Sequence, residues 1–314
     1  MFEPLFEEIK KAESIIIFGH INPDGDCYGS QQALKESLSL AFPNKKIYAV
    51  GSGYRRFFGL IGEMDDVEDS LFPKSLAILL DGNGLSRMED QRIRKCKNFI
   101  KIDHHVDDGS YSEGPFVVDE NASSTCELVC DFIQELDLPI NEKVATGLLL
   151  GILTDTGRYQ FVKDYGKVFR QSSYLASKGG DIKGINYILN QTNEFVVKFK
   201  GYVFTHYKIY KDKIPYLILD KNVLKEFKIH PAKAGSMVNL IGNITGFPIW
   251  VFFSEHVEEN KWYLEIRSSG INVQKIASKY GGGGHVEAAG ATLINPKEDL
   301  FMDILEDLYL SIEE

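Results

Sequence analysis

Short runs of Ile, Val and Leu alternate with helix-like segments over the first 185 residues of the chain. The runs show little polar alternation, which is typical of strands that are covered on both faces. Strands are predicted at residues 14–20, 46–50, 75–81, 98–103 and 115–118. Helices are predicted between and after them, at residues 30–42, 123–136, 141–155 and 165–180. Strands that alternate with helices indicate an α/β domain with a doubly wound, mostly parallel sheet.

The pattern changes after about residue 185, and a chain of 314 residues is long enough for two domains. A helical connector is followed by two predicted hairpins, a helix, a glycine run, a strand and a final helix, at 207–219, 249–269, 271–280, 281–284, 289–294 and 297–312. Hairpins indicate antiparallel pairing. The sequence therefore predicts a first domain over 1–185, a connector over 186–204 and a smaller mixed α+β domain over 205–314.

The charge balance argues against several classes of partner. Lys and Arg number 35 against 45 Asp and Glu, a net charge of −10 with His neutral. Proteins that bind long duplexes usually carry a basic face, so only short nucleotides held in a local pocket are compatible with this chain. Four cysteines are too few for a disulfide framework, and no apolar run approaches the ~20 residues that span a bilayer. We expect a cytoplasmic protein without membrane contact.

Acidic and imidazole side chains follow several of the predicted strands. Ligands of open α/β sheets bind at the carboxyl ends of the strands, and the side chains expected at that edge are His20, Asp24, Asp26, Asp81, Asp103, His104, His105 and Asp155. Each one alone is commonly a helix cap or a turn residue. Together, the carboxylates would repel one another unless a cation compensated them. The convergence predicts a metal site.

The donor types narrow the choice of metal. Carboxylates and imidazoles without a thiolate suit Mn²⁺, Mg²⁺ or Co²⁺ better than a structural zinc. Asp24 and Asp26 are two residues apart, so in extended backbone they would point to opposite sides and could serve one ion each. Two such ions can share a hydroxide and hold a phosphoryl group for attack.

These segments resemble the successive motifs of the DHH phosphoesterase family. The matching pieces are HINPDGDCYGS at 20–30, Asp81 at a strand end, DHH at 103–105, ASSTCE at 122–127 and GILTDTG at 151–157. RSS at 267–269 and GGGGH at 281–285 resemble the DHH-associated C-terminal domain. The resemblance covers nearly the whole chain in the family's order. Its length and two-domain layout are most similar to the branch that combines oligoribonuclease and pAp (adenosine 3′,5′-bisphosphate) phosphatase activities.

The resemblance implies a role for each matching residue. One metal would be held by His20, Asp24 and Asp81, and the other by Asp26, Asp81, His104 and Asp155. His105 would face the substrate phosphate or the nucleophile, and Asp103 would orient a histidine. The catalytic residues are thus expected to be Asp81, Asp103 and His105.

The second domain and one arginine of the first are expected to bind substrate. Successive glycines allow backbone N–H groups to approach an anion closely, although a flexible loop would look the same. The proposed contacts are Arg87, Arg267, Ser268, Gly282, Gly283, Gly284 and His285. For Arg267 the plain alternative is an exposed strand arginine.

The resemblance therefore implies an enzyme with two Mn²⁺ ions that hydrolyses short RNA or DNA oligonucleotides and pAp. A cyclic di-AMP or pApA phosphodiesterase is the nearest alternative, because it shares the same core. A pyrophosphatase or exopolyphosphatase is disfavoured because a basic substrate motif is missing. A RecJ-like exonuclease is disfavoured by the short, acidic chain. A non-catalytic nucleotide sensor is disfavoured by the complete ligand set. The sequence leaves a homodimer open.

Overall fold

The structure of the protein is a computed structural model that describes residues 1–106, 109, 111–256, 258–297 and 299–313. The chain forms two compact units, residues 1–191 and 192–314. No helix among the described residues is long and apolar enough to cross a membrane.

The first unit is built on a parallel sheet of five strands in the order β2-β1-β3-β4-β5. The strands are β1 (Ser14–Phe18), β2 (Lys46–Val50), β3 (Leu76–Leu80), β4 (Asn98–Asp103) and β5 (Phe116–Val118). The helices are α1 (Glu3–Lys11), α2 (Gly25–Ala41), α3 (Phe58–Ile61), α4 (Thr125–Glu135), α5 (Glu142–Asp155), α6 (Tyr165–Ser177) and α7 (Ile182–Asn190). The predicted α/β class with a parallel sheet is confirmed.

The two faces of this sheet are covered differently. Ile15 and Ile17 of β1 face a large core that the long helices close. Ile16 and Phe18 face a smaller core, which is completed by side chains of loops and short 3₁₀ helices, such as Phe72. All five residues of β1 are buried, which explains why its sequence reads as an uninterrupted apolar run.

Helices α2 and α5 touch through their glycines. A Cβ atom added to Gly29 would lie 2.4 Å from the carbonyl oxygen of Gly147, and one added to Gly151 would lie 2.3 Å from Cys126 Sγ. The backbones can approach this closely only because no side chain intervenes. The contact fixes the start of α2 beside the end of α5, and those two helix ends carry Asp26 and Asp155.

The second unit has a mixed sheet of six strands in the order β10-β11-β9-β8-β7-β6, in which only β7 and β8 pair in parallel. Its strands are β6 (Lys208–Tyr210), β7 (Ile214–Leu219), β8 (Ile249–Glu255), β9 (Lys261–Ser268), β10 (Gly283–His285) and β11 (Ala288–Ile294). Its helices are α8 (Glu194–His206), α9 (Lys221–Glu226), α10 (Pro231–Gly235), α11 (Gln274–Lys279) and α12 (Asp299–Glu313). Both predicted hairpins and the mixed α+β class are confirmed.

The predicted connector is two helices rather than one. Helix α7 ends at Asn190, and Asn193 caps the start of α8 by accepting a hydrogen bond from the Val196 N–H at 2.9 Å. The break between these helices coincides with the division between the two compact units, at residues 191 and 192.

Candidate metal centre

Most of the expected metal ligands of the first unit meet at the carboxyl ends of β1, β3 and β4. His20 lies just after β1, and Asp24 is the N-cap of α2, where its Oδ1 accepts hydrogen bonds from the N–H groups of Asp26 and Cys27, each at 3.0 Å. The expectation that Asp24 and Asp26 lie in extended backbone is wrong, because the helix begins between them. They are separated by a cap and a helical turn, not by strand alternation.

Asp81 is shared by two groups of side chains. It follows β3 and is 2% exposed, with a left-handed φ of 60°. Its Oδ2 lies 3.3 Å from His20 Nε2, and its Oδ1 lies 3.5 Å from both His104 Nε2 and His105 Nδ1. Thr125 Oγ1 donates a hydrogen bond to Oδ1 at 3.0 Å. One carboxylate thus joins the ends of β1 and β4.

His104 faces the second group. Its Nε2 lies 3.4 Å from Asp155 Oδ2, 3.5 Å from Asp81 Oδ1 and 3.9 Å from Asp26 Oδ2. On the other side of Asp81, His20 Nε2 lies 3.8 Å from Asp24 Oδ1. The sequence-predicted ligands therefore form two adjoining groups with Asp81 between them.

Asp26 is held by backbone groups that the sequence analysis did not single out. The N–H groups of Thr125 and Cys126, at the start of α4, donate to its two oxygens at 2.6 and 2.8 Å. A helix N-terminus favours a carboxylate in this position. The signal was present in the segment ASSTCE, but backbone donors leave no trace in residue types.

The electrostatics of the centre are strained without a cation. Burial, together with the charges of Asp81 and Asp155, raises the pKa of Asp26 well above its usual range. Burial and the Asp81 charge raise the pKa of Asp155 to about 8. Carboxylates this crowded take up protons or bind a cation. The donor set fits a hard divalent ion, because it offers oxygen and imidazole nitrogen.

Cys27 adds sulfur to one group, next to His20 and Asp81. Its Sγ accepts a hydrogen bond from the N–H of His20 at 3.2 Å, and burial raises the pKa of the thiol to about 11. A protonated thiol is a poor metal ligand. Cys27 therefore leaves the oxygen and nitrogen character of the centre unchanged.

The two histidines of the DHH segment have different environments. Burial lowers the pKa of His104, although the Asp81 charge opposes this. The hydrogen bond between His105 Nδ1 and Asp103 Oδ1, at 2.8 Å, raises the pKa of His105. Asp103 is fully buried, and Lys101 Nζ lies 3.4 Å from its other oxygen. The pair with Asp103 fixes the His105 ring, as the expected orienting role requires.

The expected substrate contacts fall in both units. Arg87 lines a cavity of about 270 Å³ together with His20, Asp81 and His105. In the second unit, Arg267 Nη1 donates to Glu265 Oε2 at 3.0 Å. Ser268 Oγ donates to the backbone oxygen of Ile271 at 2.6 Å and so stabilises the local fold.

The glycine run is a strand edge rather than a loop. Gly283 to His285 form β10, and His285 is opposite Ala288, which in turn is opposite Arg267. A Cβ on Gly282 would lie 2.0 Å from the carbonyl oxygen of Gly290. Close contact with β11 therefore accounts for part of the run, in addition to the anion contact expected of it.

Replacing the two DHH histidines should give different results. We expect His104→Ala to lose bound metal, because His104 Nε2 faces three carboxylates. His105→Ala should keep most of its metal and lose turnover, because the His105 ring is paired with Asp103. Elemental analysis of both purified variants, with activity measured alongside, checks this. Equal, large metal loss in both would contradict the division of roles.

Comparison with known proteins gives the family. The model described as "DHH family, N-terminal domain" matches residues 14–152, and the "DHHA1 domain" model matches residues 213–314. The chain is 33% identical to the "Bifunctional oligoribonuclease and PAP phosphatase NrnA" of Mycoplasma genitalium, over 95% of this chain and 94% of that one. It is 31% identical to the protein of the same description from Bacillus subtilis, over 97% of each.

A solved structure agrees with this over the full length. The crystal structure of an exopolyphosphatase-related protein from Bacteroides fragilis superposes with a TM-score of 0.81 and 25% sequence identity, covering 100% of this chain and 97% of that one. Two family models in order, relatives above 30% identity and a shared fold lead to one conclusion: the chain belongs to the DHH phosphoesterase family and carries the DHHA1 domain.

Proposed function

We propose that the protein is a Mn²⁺-dependent phosphoesterase that hydrolyses short oligonucleotides to mononucleotides and pAp to AMP. The observation that carries the proposal is the single buried carboxylate, Asp81, between two groups of nitrogen and oxygen ligands. Relatives of nearly equal length that are described as oligoribonucleases and PAP phosphatases support the choice of substrate.

The proposed ligand sets follow the two groups. His20, Asp24 and Asp81 would hold one ion, and Asp26, Asp81, His104 and Asp155 would hold the other. When bound, such ions lower the pKa of a bridging water and stabilise charge on the phosphoryl oxygens. With Nδ1 bound to Asp103, the His105 ring presents Nε2 to the substrate phosphate or to the attacking water.

The substrate would be positioned by cationic and backbone groups. Arg87 borders the same cavity as Asp81 and His105, so it is suited to a non-reacting phosphate oxygen. Arg267 and His285 lie on neighbouring strands of the second unit. We propose that they bind the phosphate or the nucleotide remote from the attacked bond.

One substrate panel tests the proposal. The purified protein is freed of metal with a chelator, supplied with Mn²⁺ or Zn²⁺, and given pAp, pApA, cyclic di-AMP, a 5-mer RNA, a long single strand and pyrophosphate. We expect Mn²⁺ to restore activity better than Zn²⁺, and pAp and the shortest oligonucleotides to be the best substrates. Preference for cyclic di-AMP, for pyrophosphate or for the long strand would each reject the proposal in favour of a named alternative.

Arg267→Ala should separate substrate binding from metal binding. Loss of a charge-assisted contact typically costs ~1.5–3 kcal/mol, which is about ten- to a hundredfold in kcat/KM. We expect the loss on dinucleotides to be larger than on a long strand, with metal content unchanged, because the ligands of the metal centre all lie in the first unit. Arg267 also pairs with Glu265, so Glu265→Gln is the control for the lost ion pair. A loss that is the same for every length would contradict the proposed contact.

A further inference from the structure

Three aromatic rings are exposed beside the metal centre. Phe161 is 72% exposed, Phe169 is 51% exposed and Tyr165 is 47% exposed. The centroids of Tyr165 and Phe169 are 5.8 Å apart, and Tyr165 Oη donates to the backbone oxygen of Gln160 at 3.2 Å. We refer to Phe161, Tyr165 and Phe169 as the aromatic surface. Leaving large rings in water is unfavourable unless a ligand covers them.

The segment that carries Phe161 is fixed at both ends to the metal centre. It begins directly after Asp155, and the Phe161 N–H donates to the backbone oxygen of Thr156 at 2.9 Å. At its other end, the Lys163 N–H donates to Ser123 Oγ at 3.0 Å. Ser123 belongs to the ASSTCE segment, whose Thr125 binds Asp26 and Asp81.

The backbone between these anchors is unusual. Gly157, Arg158 and Tyr159 are three consecutive residues with left-handed φ values of 55°, 60° and 68°. A Cβ at Gly157 would lie 2.9 Å from the Phe161 ring. Two non-glycine residues in this region cost on the order of 1–3 kcal/mol each, and such strain clusters at functional sites. The chain accepts this cost in a segment that leaves Phe161 uncovered.

The charge of the segment indicates what covers the rings. Residues 157–171 contain four cations, Arg158, Lys163, Lys167 and Arg170, against one carboxylate, Asp164, in a chain whose net charge is −10. Flat aromatic faces among cations are how proteins hold single-stranded nucleic acid, because the rings stack on bases and the cations meet phosphates. A hydrophobic docking site for another protein would not need this charge.

We infer that the aromatic surface, chiefly Phe161, stacks on a nucleobase of the substrate whose phosphate lies at the metal centre. This inference deepens the proposed function and depends on it. It gives the enzyme a reason to prefer nucleotides over other phosphoesters, which the carboxylates and imidazoles alone do not provide. The contact is sequence-tolerant, because every base has a flat face.

The first test compares a dinucleotide with forms that lack one base or the other. We expect the wild type to prefer the complete dinucleotide, and Phe161→Ala to lose about five- to a hundredfold of that preference in kcat/KM, mainly through KM. Phe161→Trp should retain the preference. Phe161→Leu separates the explanations, because it keeps apolar area without a flat face and should behave like Ala. Phe204→Ala, at a residue 53% exposed on α8, is the matched control.

A second measurement keeps this inference distinct from the proposed function. A non-hydrolysable dinucleotide carrying 2-aminopurine loses fluorescence when its base stacks. We expect quenching by the wild type and by Phe161→Trp, and little by Phe161→Ala. If the wild type hydrolyses no nucleotide, the proposed function fails, and quenching still decides whether a base stacks here. Unchanged preference in Phe161→Ala, or a preference kept by Phe161→Leu together with an altered oligomeric state in Phe161→Ala, would overturn the inference and assign the surface to a second copy of the chain.

Discussion

Asp81→Asn is expected to lower the hydrolysis of every substrate by about a thousandfold or more while the fold is retained. Asp81 contributes its charge to both ligand groups, and metal ions at such a centre are worth several kcal/mol to the transition state, where each 1.36 kcal/mol is tenfold in rate. Asparagine keeps the shape of the side chain, tolerates a left-handed φ and can still accept the hydrogen bond from Thr125. Measured kcat/KM and metal content, with the melting temperature alongside, check the result.

The choice of asparagine matters for interpreting this experiment. Asp81→Ala would remove the same ligand, but it would also place alanine at a φ of 60° and leave Thr125 Oγ1 without its acceptor. Asp90→Asn is the matched control, because Asp90 is a poorly exposed carboxylate that pairs with Arg92 outside the metal centre. Activity near that of the wild type in Asp81→Asn would reject a shared ligand.

Gly29→Ala is expected to destabilise the first unit by about 1–3 kcal/mol, a fall in melting temperature of roughly 2–12 °C for a unit of this size. The new methyl group would lie 2.4 Å from the carbonyl oxygen of Gly147, so α2 and α5 must separate. Separation moves Asp26 away from Asp155, and activity should fall more steeply than stability. Thermal unfolding and kcat/KM measured on one preparation give both quantities.

Gly201→Ala is the control for this substitution. Gly201 lies within α8, and no atom lies within 4 Å of a Cβ added there. Alanine is the better helix former by up to ~1 kcal/mol, so this variant should be as stable as the wild type or slightly more stable. Equal melting temperatures and activities for the two variants would show that the helix contact is not tight.

The sequence predicts the strands of the first unit better than the start of its most important helix. The bounds of β2 and β4 agree with prediction, because a buried parallel strand reads as a continuous apolar run. Helix α2 was predicted from residue 30 but begins at Gly25. Two glycines in the first turns oppose helix by local propensity. Gly29 is accepted because it meets Gly147 in α5, a contact between residues far apart in the chain.

The candidate site shows the same division. Strand-end placement was enough to anticipate that His20, Asp81 and His104 would meet, because parallel strands bring their carboxyl ends to one edge. The donors that hold Asp26 are backbone N–H groups of α4, which residue types do not reveal. The exposed Phe161 was also missed, because an aromatic residue in a sequence reads as core until its surroundings are known.

The hydrogen bonds of the centre determine which variant suits substrate trapping. Asp24 caps α2, Asp26 accepts from α4 and Asp81 accepts from Thr125, so replacing any of these perturbs the fold as well as the chemistry. Asp155 receives no hydrogen bond from the part of the chain that the structure describes; its nearest partner is His104, at 3.4 Å.

Asp155 is also crowded by neighbouring charge, because burial and Asp81 raise its pKa. Asp155→Asn should therefore melt above the wild type when both are metal-free, since activity and stability conflict at such a position. The variant would be folded, inactive and still equipped with every other group that contacts the substrate. It is the form in which an uncleaved dinucleotide should be captured for crystallisation, and a melting temperature below that of the wild type would contradict this choice.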